Sequence, residues 1–461
     1  MNNFEHSGVW WLPSNPQDKV AGTLTFSNEE GLELTLIGAL GDATPFNSST
    51  DHHQLILGIS GDGKLITLSG CSVTSLKIGI PGFARQSYRC HRCYVGFHVS
   101  EPSELQFSRF DIRYSHLPDW VRVSGFTIHP NFEEHTFNVF YTLPNELEGK
   151  TSKGTVSLAF TLNTSGDAIE EMNLRQSVSL EVKADKKYPV HELVSQFIRP
   201  LQNLLSLATT KPNTILELNV YSKEASFEKS NGEVVETPIK VFFQQRYFEP
   251  RQDKLLIPDY MLFTLHDIEG DFPSIIERWF QVSADLDSVC DLYFGIQYTP
   301  AMYSENRFLN IAQAVESYHR RRMKNNVLPK AEHKALKEAI LSQVNAEHKE
   351  WLKGQLAYSN EPRLEQRVLE LTDRVFEAVA PLISNKEEFA KKVKDTRNFL
   401  THYDKRLEDK AAKGSELFSL TRKLSYLLQL CLLMELGLPL EKCAQLLHRN
   451  QAFIFAMGRE N

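Results

Sequence analysis

The stretch of sequence that decides the fold of the C-terminal half is Lys391-Lys-Val-Lys-Asp-Thr-Arg-Asn-Phe-Leu-Thr-His-Tyr-Asp404. Ser384 and Asn385 lie just before it and can both cap a helix, with acidic residues three places further on. These signals predict a helix over residues 386–403. Apolar residues recur at helical spacing on both sides of the stretch, and they predict further helices at 273–282, 304–323, 330–357, 361–383, 416–436 and 439–449.

Three side chains of this stretch have the chemistry of a phosphodiester site. Arg397 can anchor a phosphate, Asn398 can position a polar group, and His402 can move protons near neutral pH. Asn398 and His402 are four residues apart and share a helix face. Arg397 lies about 140° away from His402 on an ideal helix, so the two converge only if the helix ends near His402. The alternative is a solvated charged helix that ends in a capping histidine.

Glu316 lies in the middle of the predicted helix 304–323, among apolar neighbours. A buried carboxylate needs a partner, and Arg397 or His402 on a neighbouring helix would serve. The alternative, an ordinary surface glutamate, is equally open at this point.

The first half of the chain has a different pattern, with short strand-like runs between Gly, Asn and Asp turns. One helical segment, 190–207, interrupts it. We therefore predict an α+β protein with a β-rich N-terminal half that contains at least one helix, followed by an all-α bundle. The predicted domains are residues 1–265 and 272–461. The predicted strands are 20–27, 32–37, 55–59, 64–68, 94–98, 136–142, 154–161, 177–182 and 215–221.

Composition narrows the functional classes. The 461 residues are 41% hydrophobic and 24% charged, as in soluble globular proteins. No apolar run approaches the ~20 residues of a membrane span, and the N-terminus lacks the features of a signal peptide. We therefore expect a cytoplasmic protein without a membrane partner. The six cysteines are scattered and form no disulfide framework.

The net charge of −7 lies entirely in the first 260 residues, because residues 261–461 contain 28 Lys and Arg against 28 Asp and Glu. Two basic clusters lie within this neutral half. A neutral domain with local basic clusters is compatible with salt-dependent binding of RNA. The residues that we expect to contact RNA are Lys391, Lys392, Lys394, Arg320 and Arg321.

Other chemistries find little support in the sequence. Cys90 and Cys93 could form half of a zinc site or a redox pair, but two structural cysteines are the favoured interpretation. The histidines show no metal spacing, so we expect no metal and no cofactor. A phosphate-binding Gly-x-x-x-x-Gly-Lys-Ser/Thr loop and a Gly-x-Ser-x-Gly elbow are both absent from the sequence.

The motif Arg397-Asn-x-x-x-His402 in a helical C-terminal half, with Ala314-Val-Glu-Ser-Tyr-His-Arg320 upstream, resembles the HEPN superfamily, and more narrowly its ApeA-like group of bacterial anti-phage proteins. Gly8-Val-Trp-Trp-Leu-Pro13 and the segment around Phe107–Arg113 are similar to the ApeA N-terminal domain. The resemblance covers nearly the whole chain. It is more specific at the C-terminal motif than in the N-terminal half.

This resemblance implies a metal-independent endoribonuclease that acts in abortive infection by cleaving tRNA in the anticodon loop. It implies that Arg397 and His402 are catalytic, with Asn398 and Glu316 beside them, and that the site forms across a homodimer or a higher homo-oligomer. Attack by the 2′-hydroxyl would leave a 2′,3′-cyclic phosphate. A phage-derived trigger would act through the N-terminal half. Two alternatives stay open: a non-catalytic HEPN module that binds RNA or serves as a scaffold, and a β domain that binds a small ligand.

Overall fold

The computed structural model describes residues 1–41, 52–78, 82–167, 169–245 and 255–460. These residues form two compact units. The first comprises Met1–Thr209, Asn213–Pro258 and Phe263–Glu277, and the second comprises Thr210–Pro212, Asp259–Leu262 and Arg278–Asn461. The main division falls between Glu277 and Arg278, inside a helix, whereas the predicted domains end at residue 265 and begin at residue 272.

The first unit is rich in strands, as predicted. In the described part of the chain these are β1 (Phe4–Leu12), β2 (Asn15–Ser27), β3 (Gly31–Ile37), β4 (His52–Ser60), β5 (Leu65–Ile78), β6 (Ala84–Val95), β7 (Gln106–Tyr114), β8 (Phe126–Asn131), β9 (Thr136–Tyr141), β10 (Leu147–Thr151), β11 (Gly154–Gly166), β12 (Met172–Pro189), β13 (Ile215–Tyr221), β14 (Ser226–Glu228), β15 (Val234–Glu236) and β16 (Ile239–Phe242). The helices are α1 (Leu117–Val121), α2 (Val190–Leu193) and α3 (Arg199–Thr209), with a π-helical turn at Val194–Ile198 between the last two.

Six of these strands close into an antiparallel barrel in the order β6-β3-β2-β1-β4-β5, because β5 returns to pair with β6. Closure gives each of the six strands a hydrogen-bonded neighbour on both sides. The barrel packs tightly around Trp10, which is fully buried. Gly58 faces its indole, and a Cβ at that position would lie 2.2 Å from Trp10 Cε3.

The sheet continues beyond the barrel through β6, which also pairs with β16. From there the sheet follows the order β16-β13-β7-β12-β11-β10. The helical segment 190–209 supplies buried side chains to this part of the unit. A separate two-stranded hairpin, β8–β9, exposes several large apolar side chains, among them Phe132, Phe137 and Phe140.

The second unit is helical, as predicted. After α4 (Phe272–Asp285), in which the division between the units falls, its helices are α5 (Asp287–Gln297), α6 (Ser304–Arg322), α7 (Lys330–Ser342), α8 (Ala346–Gln355), α9 (Leu364–Arg374), α10 (Phe376–Val379), α11 (Lys386–His402), α12 (Gly414–Glu435), α13 (Leu440–Arg449) and α14 (Gln451–Glu460). Helix α12 packs against α6 and α13, and α11 packs against α6 and α9.

Helix α12 is the core of the second unit. Its apolar side chains, including Leu424, Leu427 and Leu430, are buried within the unit, while Phe418 is 54% exposed. The surrounding helices therefore cover most of the apolar circumference of α12. By length and composition α12 could also cross a membrane, but 67% of its apolar window is buried, as in the core helix of a soluble protein.

Several predicted elements differ from the structure. The expected helix 330–357 is interrupted between α7 and α8, and neither of these two helices buries a residue. The expected helix 361–383 breaks at Val375, whose φ of −125° is not helical. The predicted strand 94–98 is wrong, since β6 ends at Val95. Strands β1, β7, β8, β10, β14, β15 and β16 and helices α1, α5 and α14 were not predicted. In β7 the alternation of Phe110, Ile112 and Tyr114 was an available signal.

Candidate active site

Helix α11, which carries the candidate site, begins and ends where local signals place it. The side chain of Asn385 accepts a hydrogen bond of 2.9 Å from the backbone N–H of Glu388, so the first turn is capped. At the other end, Tyr403 takes a left-handed conformation with φ 50° and donates its N–H to Phe399 O at 2.6 Å. His402 is therefore the last helical residue, as the sequence argument required.

Arg397 lies against helix α6. Its Nη2 is 3.5 Å from Glu316 Oε2, and its Nη1 donates to Asn398 Oδ1 at 3.2 Å. The two charged side chains are only partly exposed, at 32% for Arg397 and 22% for Glu316. This contact pairs the carboxylate in the middle of α6 with one of the two partners expected from the sequence. A guanidinium has five N–H donors, so others stay available to a phosphate.

His402 is exposed on the last turn of α11. It makes no hydrogen bond within the described part of the chain, and no contact joins it to Arg397 there. Hydrogen bonds from Arg406 lower the pKa of Asp404, two residues further along the chain, and His402 acts in the same direction. The structure therefore brings Glu316, Arg397 and Asn398 together, and it leaves the imidazole of His402 accessible at the same end of the helix.

Behind this contact lies a chain of charged groups, of which Glu361 and Arg367 were not predicted. Glu316 also pairs with Arg320 at 3.3 Å, and Arg320 pairs with Glu361 at 2.7 Å. Arg367 on α9 lies 3.7 Å from Glu361 and is fully buried. The pKa of its guanidinium is lowered, first by burial and then by the positive charge of Arg320.

The inner end of this chain is a buried histidine. Arg367 Nη1 donates to His319 Nδ1 at 2.9 Å, and His319 Nε2 lies 2.7 Å from Glu370 Oε2. Because arginine only donates, Nδ1 is the acceptor and Nε2 carries the proton toward the carboxylate. Burial lowers the pKa of His319, with Glu370 acting in the opposite direction. Two sequence signals could have identified this buried pair. One is an arginine within the apolar stripe of α9, and the other is a histidine within the apolar stripe of α6.

The basic residues expected to contact RNA are mostly occupied by carboxylates of the chain itself. Lys392 pairs with Glu416 at 2.6 Å, and Lys394 pairs with Glu365 at 2.8 Å. Of the two arginines, Arg320 is bound by two glutamates, and Arg321 pairs with Asp287 at 3.1 Å. Lys391 is exposed and forms no ion pair within the described residues. An RNA phosphate would have to compete with these carboxylates at the other four positions.

The cysteines form no reactive site. All six are free and buried, and Cys71 lies opposite Cys90 in the β5–β6 pairing. Burial raises the pKa of the Cys71 and Cys93 thiols well above the ordinary value, which disfavours the nucleophilic thiolate. In the parts of the chain that the structure describes, no group of three or more His, Cys, Asp or Glu side chains could hold a metal ion.

Residues 309–442 of the helical bundle match the Apea-like HEPN family. Residues 5–279, more than half of the chain, match ApeA N-terminal domain 1. The chain therefore belongs to the ApeA-like HEPN family, a family of anti-phage HEPN nucleases. No curated protein and no solved structure matches the chain significantly.

Proposed function

We propose that this protein is a metal-independent endoribonuclease of anti-phage defence that uses the 2′-hydroxyl of its RNA substrate as the nucleophile. The observation that carries the proposal is the arrangement at the C-terminal end of α11. There Arg397 is held by Glu316 and Asn398, and His402 is accessible on the last turn. A fixed guanidinium and an exposed imidazole within the last two turns of one helix supply the two kinds of group that cleavage of a phosphodiester needs.

The reaction requires two proton transfers. One imidazole takes the proton of the 2′-hydroxyl while the O2′–P bond forms. A second imidazole gives a proton to O5′ as the P–O5′ bond breaks, which leaves a 2′,3′-cyclic phosphate and a 5′-hydroxyl. The free N–H donors of Arg397 stabilise the negative charge that grows on the phosphate oxygens. Histidine suits both roles because its ordinary pKa is near 7.

One chain has one His402, so the two imidazoles require two copies of the chain. We therefore propose a homodimer or a higher homo-oligomer in which two α11 helix ends face one scissile phosphate. The substrate we propose is tRNA, cut in the anticodon loop in the cytoplasm. Loss of translation would then stop phage growth, and the N-terminal unit would receive the phage-derived trigger.

A second candidate function is a non-catalytic module that binds RNA or serves as a scaffold. It is favoured by the lack of an orienting hydrogen bond on His402 within the described chain, since catalytic histidines are commonly oriented by a third group. In this case Arg397 and Glu316 form only a structural ion pair between α11 and α6.

The two functions are distinguished by incubating the purified protein with total tRNA. For the nuclease we expect defined fragments with cyclic phosphate ends, and cleavage that is unchanged in EDTA. The Arg397→Ala and His402→Ala variants should lose cleavage by 100-fold or more, about the contribution of one acid–base group. His348→Ala is the matched control, because it removes an imidazole that is 62% exposed on α8. A mobility shift without cleavage would instead support the binding module, and rescue by Mg²⁺ after EDTA would exclude this mechanism.

A further inference from the structure

A groove lies between α11 and α12 in the second unit. Its volume is about 830 Å³, and it is lined mainly by the N-terminal halves of both helices and the segment before α11, together with Lys410 and Ala456. Twelve of the nineteen side chains that line the groove are charged or polar. It therefore differs from the apolar pockets that hold most small ligands.

The lining has more positive than negative charges. Five cationic side chains and three carboxylates contribute to it. One carboxylate, Glu416, pairs with Lys392 at 2.6 Å, and another, Asp395, pairs with Lys394 at 3.3 Å. The second unit as a whole contains 29 Lys and Arg against 25 Asp and Glu, and the excess at the groove makes this surface complementary to a polyanion. The five cations are Lys391, Lys392, Lys410, Arg422 and Lys423.

An aromatic side chain lies at the groove among these cations. Phe418 is 54% exposed, and the guanidinium of Arg422 lies 5.6 Å from its ring centroid. Arg422 is also fixed by a hydrogen bond of 2.8 Å from its Nη2 to Ala452 O. A ring and a guanidinium plane held at the surface are the groups on which an unpaired base stacks.

Residues of α11 that line the groove lie on the same helix face as the exposed histidine. Lys391, Asp395, Asn398 and His402 are spaced by four, three and four residues, so they lie in one row on the helix. The first two of them line the groove. The row is about 16 Å long at 1.5 Å per residue. This length covers about five phosphates at the stacked spacing of about 3.4 Å.

We propose that the groove between α11 and α12 binds the single-stranded RNA segment that leads to the scissile phosphate. Lys391, Lys410 and Lys423 contact its backbone, and Phe418 with Arg422 stacks on an unpaired base. Lys394 is not part of this path, because it pairs with Glu365 and does not line the groove. The inference rests on the proposed ribonuclease function and names how the substrate reaches that site.

The test uses the full chain with His402→Ala, which prevents cleavage, and a fluorescein-labelled 12-nucleotide single-stranded RNA. Anisotropy titrations at several salt concentrations give Kd and its salt dependence. The double variant Lys410→Glu, Lys423→Glu should weaken binding at least 10-fold. It should also lower the slope of log Kd against log salt by about 1.4, because each phosphate that a lysine no longer neutralises removes about 0.7 from the slope. Phe418→Ala should weaken binding by about 5-fold or more with the slope unchanged.

The matched control is Lys334→Glu, Lys349→Glu on α7 and α8, where the same charge change falls on exposed positions outside the groove. If groove and control variants weaken binding equally, or neither does, the groove assignment is wrong. A changed oligomeric mass in light scattering with unchanged RNA affinity would show that the groove is a protein contact. The milder pair Lys410→Gln, Lys423→Gln repeats the test if the glutamate variant does not fold.

The experiments can refute RNA binding in the groove separately from the proposed ribonuclease function. If the chain with intact His402 cleaves RNA while Lys410→Glu, Lys423→Glu changes neither affinity nor cleavage, only the groove assignment falls. If the chain with intact His402 neither cleaves nor binds RNA, the ribonuclease function falls and the groove assignment falls with it.

Discussion

Replacing Arg367 by methionine should destabilise the second unit, because this residue is the buried centre of the charged chain behind Arg397. Arg367 is fully buried, and its Nη1 donates to His319 Nδ1 at 2.9 Å. Methionine keeps most of the side-chain length and removes the charge and all donors. The variant therefore tests the hydrogen bonding at this position more than the packing.

The expected cost follows from the groups that lose a partner. His319 is fully buried, and an acceptor left there without a donor costs about 1–3 kcal/mol. The ion pair with Glu361 adds little, about 0–1 kcal/mol, because that carboxylate is 31% exposed and its oxygen is 3.7 Å away. Removal of the buried positive charge of Arg367 is favourable by itself and offsets part of this loss of stability. We expect a net loss of about 1–3 kcal/mol, or about 5- to 150-fold in the opening equilibrium.

Hydrogen–deuterium exchange of the amides in α6 and α9 measures this opening locally, without assuming that the two units unfold together. Arg363→Met is the control, since Arg363 is an exposed arginine at the start of the same helix. It should change the exchange by less than about 0.5 kcal/mol. The double variant Arg367→Met, His319→Leu removes donor and acceptor together, so it should recover to within about 1 kcal/mol of the parent.

Two results would refute this reasoning. One is an Arg367→Met variant that exchanges no faster than Arg363→Met, which would mean that the buried pair contributes nothing. The other is a double variant whose loss equals or exceeds the sum of the single losses, since the cost would then arise from packing and not from the unpaired nitrogen of His319.

Three further predictions concern the site, the pH dependence and the barrel. Mixed dimers of wild-type and His402→Ala chains, isolated by two affinity tags, should cleave RNA at well under half the wild-type rate; retention of half the rate or more would contradict a shared site. Burial lowers the pKa of His319 in the folded state below its unfolded value of about 6.5. The unfolded state therefore binds a proton at a higher pH than the folded state does, and the free energy of unfolding should fall as the pH drops below about 6.5. Urea titrations from pH 7 to 5 measure this fall, and His319→Gln should remove part of it. Gly58→Ala would place a Cβ 2.2 Å from Trp10 Cε3 and should destabilise the barrel by about 1–3 kcal/mol. The control Gly61→Ala should not destabilise the barrel, because its Cβ would lie 3.6 Å from the nearest neighbouring atom. Tryptophan fluorescence during thermal melting measures the stability of both variants.

The sequence alone determined the helices of the candidate site. Capping by Asn385 and the chain reversal after His402 are local events, so α11 begins and ends within one residue of the prediction. The continuous apolar pattern of α12 likewise predicts a buried helix. The Arg397 and His402 motif was recognisable because both residues lie on a single helix, where geometry fixes their relative directions.

Only the tertiary structure decided which partners these side chains have. Arg397 and Glu316 are 81 residues apart in the chain, and their contact joins two helices. Arg367 and His319 are 48 residues apart. In the first unit, β6 pairs with β3, β5 and β16, so closure of the barrel depends on the register of distant strands. Helical periodicity and capping act over a few residues. Ion pairs between helices and strand order depend on how the whole chain packs, which no local pattern specifies.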